Sequence, residues 1–315
     1  MSEMRVVQIH QYGDPDVLIV EEITRPEPKA GEVLIRVHAA GINPVDWKTR
    51  RGGGIAELLG NNPFPLILGW DISGTIEAIG TGGEGFTIGD EVYGMVGFPY
   101  RGNAYAEYVS VPTNEVVRKP TNYSHSEAAG TPLVALTAWQ ALFETAQLKA
   151  GQTILVHGAA GGVGHVAVQL AKWKGARVIA TASEKNHAYL RNLGVDTVID
   201  YTKQAFEQGV SGVDVVLDTL GSNVQERSFR VLKRGGILVS LISEPSQKIA
   251  QQYGVTGQAV FVRIAYEQLE QITRLIEEGS LRITISQTLP LVEAQKAHEL
   301  SEAHHTRGKI VLVVA

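Results

Sequence analysis

A strand, a glycine-rich turn and a helix follow one another directly over residues 153–171, T-I-L-V-H-G-A-A-G-G-V-G-H-V-A-V-Q-L-A. The apolar run 154–156 is too short for a helix and predicts a strand buried on both faces. After the glycines, apolar residues from Val163 to Leu170 recur at the spacing of a helix that packs on a sheet. This order predicts a dinucleotide-binding unit, because the glycines allow a pyrophosphate to approach and the helix N-terminus attracts negative charge.

The glycine pattern departs from the usual fingerprint, since it reads A-x-G-x-x-G from Ala159. A second strand predicted at 176–181 continues the βαβ unit. The alternative is an ordinary glycine turn of an α/β domain that binds no ligand. The residues predicted to line the pyrophosphate are Ala160, Gly161, Gly162, Val163 and Gly164.

Composition excludes several classes of protein. The chain has 315 residues, 44% of them hydrophobic, which is enough for about two domains with separate cores. The net charge is -5 and no run rich in Lys or Arg occurs, so the sequence does not indicate a basic surface that would bind nucleic acid. No apolar stretch reaches the ~18 residues of a membrane helix, and residues 1–10 lack the apolar core of a signal peptide, so we expect a cytoplasmic protein without a membrane partner.

The sequence contains no cysteine. Disulfides, thiolate zinc sites and a cysteine nucleophile are therefore excluded. We expect no bound metal, and any chemistry must come from a cofactor or from other side chains.

Short apolar runs broken by turns fill residues 5–110 and predict a compact antiparallel β domain. The long connection Gly52–Pro65 is of the kind that is often functional. Helical periodicity begins after Ser124, which opens an S-x-x-E capping pattern, so we place a domain boundary at residue 121.

Strands and helices then alternate, which predicts a doubly wound parallel sheet. The predicted strands are 153–157, 176–181, 197–199, 213–218, 236–241 and, at the sheet edge, 259–263. The predicted helices are 162–174, 184–193, 203–208 and 223–232. The tail from residue 266, with helices at 268–278 and 291–303 and a final strand, is expected to pack back on the first domain. The predicted domains are thus 1–121 with 266–315, and 122–265.

Eight sequence segments, in the order in which they occur along the chain, resemble the medium-chain dehydrogenase/reductase superfamily, and more narrowly its zinc-independent quinone oxidoreductases. They cover nearly the whole chain and are A-A-G-I-N-P-V-D-W-K (39–48), L-G-W-D-I-S-G-T-I (68–76), F-T-I-G-D-E-V-Y-G (86–94), A-Y-A-E-Y-V (104–109), L-T-A-W-Q-A-L (136–142), H-G-A-A-G-G-V-G-H-V-A-V-Q-L-A (157–171), D-V-V-L-D-T-L-G (214–221) and R-G-K-I-V-L (307–312).

The resemblance implies an α/β protein with a GroES-like β-rich catalytic domain and a Rossmann domain. It also exposes a difference from the zinc-dependent branch. Asn43 stands where those enzymes have a cysteine ligand, and Trp70 stands where they have the histidine of G-H-E. Without that Lewis acid, the reduction of simple aldehydes loses its main electrophile.

The residues after the second predicted strand favour NADPH over NADH. An NAD site normally has an acid there for the ribose 2′-OH, whereas this chain has Ala182, and the nearest acid, Glu184, comes two residues later. Ser183 and Lys185 can bind a 2′-phosphate. Tyr201 matches a tyrosine that related enzymes use beside this phosphate, although packing at the sheet edge would also explain it.

The resemblance assigns further positions. Thr137 and Thr219 are expected near the nicotinamide, and Leu241, Phe261 and Arg263 along the cofactor, with core packing an equal explanation for Leu241 and Phe261. Asn43 and Asp46 lie on the loop expected to face the substrate and are the catalytic candidates. Asn43 is expected to bind the nicotinamide ribose or the substrate carbonyl, while Asp46 is equally explained as a loop-fixing side chain.

The histidines do not suggest a catalytic centre. His157 ends a buried strand and His165 starts a helix, positions where a structural histidine is commoner. The pair His304-His305 has no further ligand at metal spacing and is expected to be a solvated helix end.

These observations predict a zinc-independent oxidoreductase that transfers a hydride from NADPH to a quinone or to the β-carbon of an enone. Such acceptors need no metal, because conjugation delocalises the charge that hydride addition creates. The alternative is an NADPH-binding protein with a structural or redox-sensing role. The apolar run Q-A-V-F-V-R (258–263) at the sheet edge predicts a homodimer in which two such strands pair about a two-fold axis. The alternative is that the loop 243–257 folds over this edge and leaves a monomer.

Overall fold

The computed structural model describes residues 2–314, which form two compact units. The first unit comprises residues 2–133, 263–279 and 283–314, and the second comprises Val134–Val262 and Ser280–Arg282. Residues 122–133 thus lie with the first unit, although the sequence predicted that the second domain begins at 122.

The strands are β1 Glu3–Ile9, β2 Ile19–Thr24, β3 Glu32–Gly41, β4 Leu66–Ile67, β5 Asp71–Ile79, β6 Glu91–Met95, β7 Tyr108–Pro112, β8 Val116–Arg118, β9 Thr153–Val156, β10 Arg177–Thr181, β11 Thr197–Ile199, β12 Val213–Asp218, β13 Leu232–Ser240, β14 Thr256–Ala259, β15 Ile285–Pro290 and β16 Lys309–Val313. The α-helices are α1 Pro44–Arg50, α2 His125–Ala129, α3 Pro132–Trp139, α4 Gly162–Trp173, α5 His187–Asn192, α6 Ser222–Ser228, α7 Gln247–Tyr253, α8 Tyr266–Glu277 and α9 Ala294–Glu302.

The second unit is built on a parallel sheet with the strand order β11-β10-β9-β12-β13-β14. This is the order of a doubly wound dinucleotide-binding sheet, with β9 at the point where the order reverses. Leu155 of β9 lies in register with Ile179 of β10 and Val216 of β12, and all three are buried. The predicted Rossmann sheet is confirmed.

Helix α4 covers one face of this sheet. Its buried positions include Val166, Ala167 and Leu170, as the periodicity predicted. The chain leaves the helix at Gly175, whose φ of +85° is a left-handed conformation that favours glycine.

The helix predicted at 203–208 is wrong. The structure has a single 3-10 turn there, Phe206–Gln208. Asp200 explains the difference, because its Oδ1 accepts hydrogen bonds from both the N–H and the hydroxyl of Thr202 and fixes a turn at the start of the segment.

The edge strand predicted at 259–263 also needs correction. An edge strand exists, but it is β14, Thr256–Ala259, and the ladder continues only to the Val260 N–H, which donates to the Ser240 carbonyl at 2.9 Å. The neighbouring strand β13 ends at Ser240, because the Ser240 hydroxyl accepts from the N–H groups of Ile242 and Ser243 and the chain turns out of the sheet there. A strand cannot extend beyond the partner that satisfies its backbone groups.

The first unit contains a seven-stranded sheet with the path β15-β16-β3-β5-β6-β8, in which β7 also pairs with β3, and a three-stranded sheet β2-β1-β4. Every strand pair of these two sheets except β15 with β16 is antiparallel, in line with the predicted β-rich domain. The C-terminal strand β16 inserts between β15 and β3, so the tail completes this sheet.

Helices α2 and α3 follow at the boundary between the two units, which falls after Leu133 within α3. The cap of α2 is the predicted capping box, in which Ser124 and Glu127 exchange side-chain and backbone hydrogen bonds. Helix α3 begins at Pro132 and continues into a π-helical turn, Gln140–Thr145. Within residues 2–314, no helix has the length and apolar character that a membrane crossing requires.

Candidate functional site

The phosphate loop, residues 157–161, joins β9 to α4. Two glycines here are required by the fold itself. Gly158 has a φ of +59°, and a Cβ on it would lie 2.4 Å from the Thr219 hydroxyl. A Cβ on Gly164 would lie 2.3 Å from the Gly158 carbonyl oxygen.

Gly161 is different. Its φ is -79°, which any residue can adopt, and a Cβ there would approach only the Gly158 carbonyl oxygen, at 3.3 Å. That single contact is tight, so a side chain there would need a shift of a few tenths of an ångström, but apart from this one atom the space in front of Gly161 is open. That space lies at the N-terminus of the twelve-residue helix α4, whose first N–H groups have no intrahelical acceptor. The loop fits a pyrophosphate, and the groups that would hold it are those of Ala160, Gly161, Gly162, Val163 and Gly164.

Ser183, Lys185 and Tyr201 lie just beyond the carboxyl ends of two neighbouring strands. β10 and β11 run parallel, and the N–H of Ala182 donates to the carbonyl of Ile199, so the two following segments leave the sheet side by side. Tyr201 is 59% exposed, which argues against packing as the reason for its ring. These are the positions that a 2′-phosphate would occupy in a sheet of this order.

Lys203 is a residue that the sequence analysis missed. Its ammonium lies 2.6 Å from the Glu184 carboxylate and 3.8 Å from Oδ2 of Asp200. Glu184, the acid between Ser183 and Lys185, is therefore paired with a lysine from the neighbouring segment.

Asp218 organises the carboxyl ends of β12 and β13. It is fully buried, and its Oδ1 accepts from the N–H groups of Leu220 and Gly221 while Oδ2 accepts from Ser240 Oγ. Thr219 follows it, and its hydroxyl donates to the His157 carbonyl at 2.9 Å, which ties this position to the phosphate loop. Asp218 was not singled out from the sequence, although an acidic residue at the end of a predicted buried strand could have indicated it.

The remaining predicted cofactor positions are dispersed. Thr137 is buried on α3, and Leu241 is half-buried just after β13. Phe261 is exposed beyond the end of β14, so core packing does not account for it. Arg263 belongs to the first unit.

The two histidines beside the phosphate loop are buried, as predicted for structural residues. His157 bonds Thr181 Oγ1 at 3.0 Å and Ser228 Oγ at 2.9 Å, and its burial lowers its pKa to about 4. His165 Nδ1 lies 2.9 Å from the Gly161 carbonyl oxygen.

In the first unit, Asn43 lies at the centre of a buried polar cluster. The Lys309 ammonium donates to Asn43 Oδ1 and, at 2.5 Å, to the carbonyl of Ile42. Asn43 Nδ2 donates to Asp71 Oδ2 at 2.9 Å, and Asp71 Oδ1 accepts from the N–H of Leu133 at the start of α3. Because an ammonium can only donate and a carboxylate can only accept, the orientation of the amide is fixed.

A second chain of hydrogen bonds holds Asp46. Arg50 Nη1 lies 3.3 Å from Nδ1 of His298, and an arginine can only donate, so Nδ1 carries no proton. His298 Nε2–H then donates to the Tyr105 oxygen at 3.1 Å, and Tyr105 donates to Asp46 Oδ2 at 2.7 Å. The Asn43 N–H donates to the same oxygen. Since Arg50 cannot release a proton, this chain positions Asp46 and does not conduct protons.

Burial raises the pKa of Asp46 to about 7, against the lowering effect of the hydrogen bonds from Tyr105 and the Asn43 N–H. Burial also raises the pKa of Asp71 to about 6, opposed by the Lys309 charge, and burial lowers the pKa of Lys309. Oδ1 of Asp46 has no hydrogen-bond partner among the described residues. When Asp46 is neutral, its proton therefore resides on Oδ1.

Neither catalytic candidate reaches the surface. Asn43 and Asp46 are both completely buried, and the side-chain oxygen of Asn43 is bound within the unit. Their position supports a role in fixing the loop between β3 and α1, the structural alternative already considered for Asp46. The indole N–H of the next residue, Trp47, is also buried without a partner among residues 2–314.

The donor set at this position does not fit zinc. Asn43 Oδ1 is bound to an ammonium, and the only polar side-chain atom of Trp70 donates to the Tyr100 carbonyl at 2.7 Å. In the part of the chain that the structure describes, no three His, Cys, Asp or Glu side chains stand together as metal ligands could.

Comparisons with known families match two parts of the chain. Residues 29–121 match the alcohol dehydrogenase GroES-like domain, and residues 193–312 match the zinc-binding dehydrogenase family. The first match covers about half of the β-rich first unit, in agreement with the predicted GroES-like domain.

Individual relatives match over the whole length. The 2-methylene-furan-3-one reductase of Solanum lycopersicum is 34% identical over 99% of this chain and 79% of its own. The chloroplastic NADPH-dependent alkenal/one oxidoreductase of Arabidopsis thaliana is 34% identical over 99% of this chain and 80% of its own. The structure of the quinone oxidoreductase from Coxiella burnetii covers 100% of both chains with a TM-score of 0.94 and 39% identity.

Proposed function

Since this chain belongs to the medium-chain dehydrogenase/reductase superfamily, we propose that it is an NADPH-dependent oxidoreductase that reduces quinones or α,β-unsaturated carbonyl compounds without a metal. The two relatives named above reduce, by their names, a methylene-furanone and alkenals or enones, and the related structure is that of a quinone oxidoreductase. These acceptors share a conjugated carbonyl group.

One observation carries the proposal. At the position of the zinc ligands in related dehydrogenases, this chain has the Asn43 amide bound to the Lys309 ammonium. A positive charge and an amide leave no ligand set for a Lewis acid. The acceptor must therefore be one whose conjugation stabilises the charge that hydride addition creates.

A bound nicotinamide cofactor supplies the hydride. The phosphate loop and the N-terminus of α4 bind its pyrophosphate, and the buried cluster around Asn43 fixes the loop that precedes α1. Hydride addition to the β-carbon of an enone, followed by a proton from solvent at the α-carbon, gives the saturated carbonyl compound. The chain contributes orientation and exclusion of water.

NADPH, rather than NADH, is the proposed cofactor. Ala182 leaves room at the end of β10, and Ser183, Lys185 and Tyr201 offer a hydroxyl, an ammonium and an exposed ring. A phosphate dianion at this point is favoured by charge-assisted hydrogen bonds.

The test is the oxidation of NADPH with a panel of quinones and enones, before and after exhaustive chelation. We expect turnover with at least one conjugated acceptor, unchanged by chelation and without stoichiometric zinc by elemental analysis. Loss of activity on chelation with recovery on adding zinc would refute the metal-free mechanism. Tight NADPH binding without oxidation by any acceptor would favour the structural or sensing alternative.

We further propose a cytoplasmic homodimer. The support for the dimer is β14, an edge strand with exposed Thr256, Gln258 and Ala259, followed by the exposed Phe261. Natural proteins seldom leave such an edge uncovered, and a second copy about a two-fold axis would continue the sheet.

A further inference from the structure

Lys203 lies between two carboxylates at the carboxyl ends of β10 and β11. Its ammonium is 2.6 Å from Glu184 Oε2, on the segment after β10, and 3.8 Å from Asp200 Oδ2, on the segment after β11. The contact with Glu184 connects the two segments that also contain Ser183, Lys185 and Tyr201.

The two carboxylates are unfavourable neighbours for a phosphate. Asp200 is buried, and its Oδ1 accepts from both the N–H and the hydroxyl of Thr202, so its carboxylate is held in place. The pKa of Asp200 lies below its usual value because the Thr202 hydroxyl and N–H donate to it, which keeps it ionised. The pKa of Lys203 is raised by its hydrogen bond to Glu184 and by the Glu184 charge. Without Lys203, two carboxylates would stand against the single ammonium of Lys185.

We propose that Lys203 is a specificity-determining residue, whose ammonium cancels the charges of Glu184 and Asp200 so that a nucleotide 2′-phosphate can bind beside them. The inference rests on the proposed NADPH dependence. It adds the residue that allows a 2′-phosphate to bind next to the acids Glu184 and Asp200. NADH lacks the 2′-phosphate and is insensitive to this charge.

An ordinary surface ion pair is the competing explanation. The Lys203 and Glu184 side chains are 63% and 72% exposed, and pairs of this kind contribute little to stability. The two explanations differ in one respect. A surface pair alone leaves the binding of both nucleotides unchanged when it is removed, whereas a specificity residue affects only the phosphorylated one.

The experiment is a fluorescence titration of the full-length protein with NADPH and with NADH, for the wild type, Lys203→Met, Glu184→Gln and the double variant. We expect Lys203→Met to weaken NADPH binding about five- to tenfold, the effect of one like charge at close range in a partly screened site. NADH binding should change less than about twofold, because it carries no charge at that position. The double variant should recover part of the lost NADPH affinity, since one of the two repelling carboxylates, that of Glu184, is gone while Asp200 remains.

Lys172→Met is the matched control. Lys172 forms a similar pair with Asp196 at 2.9 Å in the same unit, but Asp196 accepts from the Val178 N–H near the start of β10, at the opposite end of the strands. This variant should change neither affinity.

Equal weakening of NADPH and NADH by Lys203→Met, no effect on either, or no recovery in the double variant would overturn the inference. The titration needs no acceptor, so it separates this inference from the proposed function. A wild type that binds NADPH with the expected Lys203 dependence but reduces no acceptor would refute the reductase and leave the role of Lys203 standing.

Discussion

Nη1 of Arg50 lies 3.3 Å from Nδ1 of His298, and both side chains are completely buried. Burial, followed by the Arg50 charge, lowers the pKa of His298 to about 3 from an ordinary value of 6.5. Because the folded pKa is the lower one, the neutral form is favoured in the fold. The resulting stability is complete above pH 6.5 and is lost as the pH falls towards 3.

We therefore expect the free energy of unfolding to fall steeply in acid, by an amount on the order of a few kcal/mol, since each pKa unit corresponds to about 1.4 kcal/mol. Replacing His298 with Gln keeps an acceptor for Arg50 and a donor for Tyr105 but cannot titrate. Denaturant unfolding at a series of pH values from 7 to 4 should show a flatter slope for this variant. Parallel slopes for the two proteins would show that His298 is not the titrating group.

Asp46 changes stability with pH in the opposite direction from His298. Its pKa is raised by burial from 3.8 to about 7, so the protonated form is favoured in the fold. Its contribution to stability is present below pH 3.8 and is lost as the pH rises through about 7. Asp46→Asn should remove this loss, so the stability difference between variant and wild type should shift in favour of the variant between pH 4 and 8. A difference that is constant over this range would contradict the raised pKa.

Gly161→Val tests the phosphate loop. The Cβ of this variant meets only the Gly158 carbonyl oxygen, in a tight contact at 3.3 Å, so we expect a smaller loss of stability than for Gly164→Ala, while NADPH binding should fall by about tenfold or more because the side chain fills the path of the pyrophosphate. Thermal unfolding and a nucleotide titration measure the two effects separately.

Gly164→Ala is the control for that variant. Its Cβ would lie 2.3 Å from the Gly158 carbonyl oxygen, so we expect a loss of about 1–3 kcal/mol in stability from overpacking. Unchanged NADPH binding by a folded Gly161→Val protein would place the nucleotide elsewhere.

Lys185→Glu tests the cofactor preference. Replacing an ammonium by a carboxylate next to a 2′-phosphate removes a charge-assisted bond and adds repulsion, so NADPH affinity should fall at least about tenfold and NADH affinity much less. Binding constants for both nucleotides provide the measurement. If the wild type binds NADH as tightly as NADPH, the interpretation of Ala182 as room for a phosphate is wrong.

The dimer prediction is tested with a proline at Ala259 rather than at Val260. A proline at Val260 would remove the N–H that donates to Ser240 within the same chain. Successive N–H groups of a strand point to opposite sides, so the Ala259 N–H faces the open edge of β14. Ala259→Pro should therefore weaken association while preserving the fold. Light scattering at micromolar concentration should give about twice 34.0 kDa for the wild type and a lower mass for the variant, whereas a wild-type mass near 34.0 kDa would refute the dimer.

What could be predicted from sequence was local. The apolar run before the glycines, the helical periodicity after them and the capping pair Ser124 and Glu127 are patterns within a few residues, and each gave the element that the structure contains. The end of β14 was predicted wrongly because it depends on where β13 stops, which no pattern within 256–263 records.

The buried clusters could not be predicted for the same reason. Lys309 and Asn43 are 266 positions apart, and Arg50 and His298 are 248 apart, so only the folded sheet brings them together. Lys203 was missed because Lys in a short turn is usually a solvated residue, and its partner Glu184 follows a different strand.

The placement of β16 between β15 and β3 has a consequence for how the chain is made. The second unit comes almost entirely from one continuous stretch, Val134–Val262, which is translated before Lys309. The parallel sheet can therefore form on the nascent chain while the end of β3, residues 39–41, still lacks its neighbour. An open strand edge at this stage invites pairing with other chains. Chaperone demand and aggregation during synthesis should thus concentrate on the first unit, and a fusion placed after β16 delays its completion further than one placed before β1.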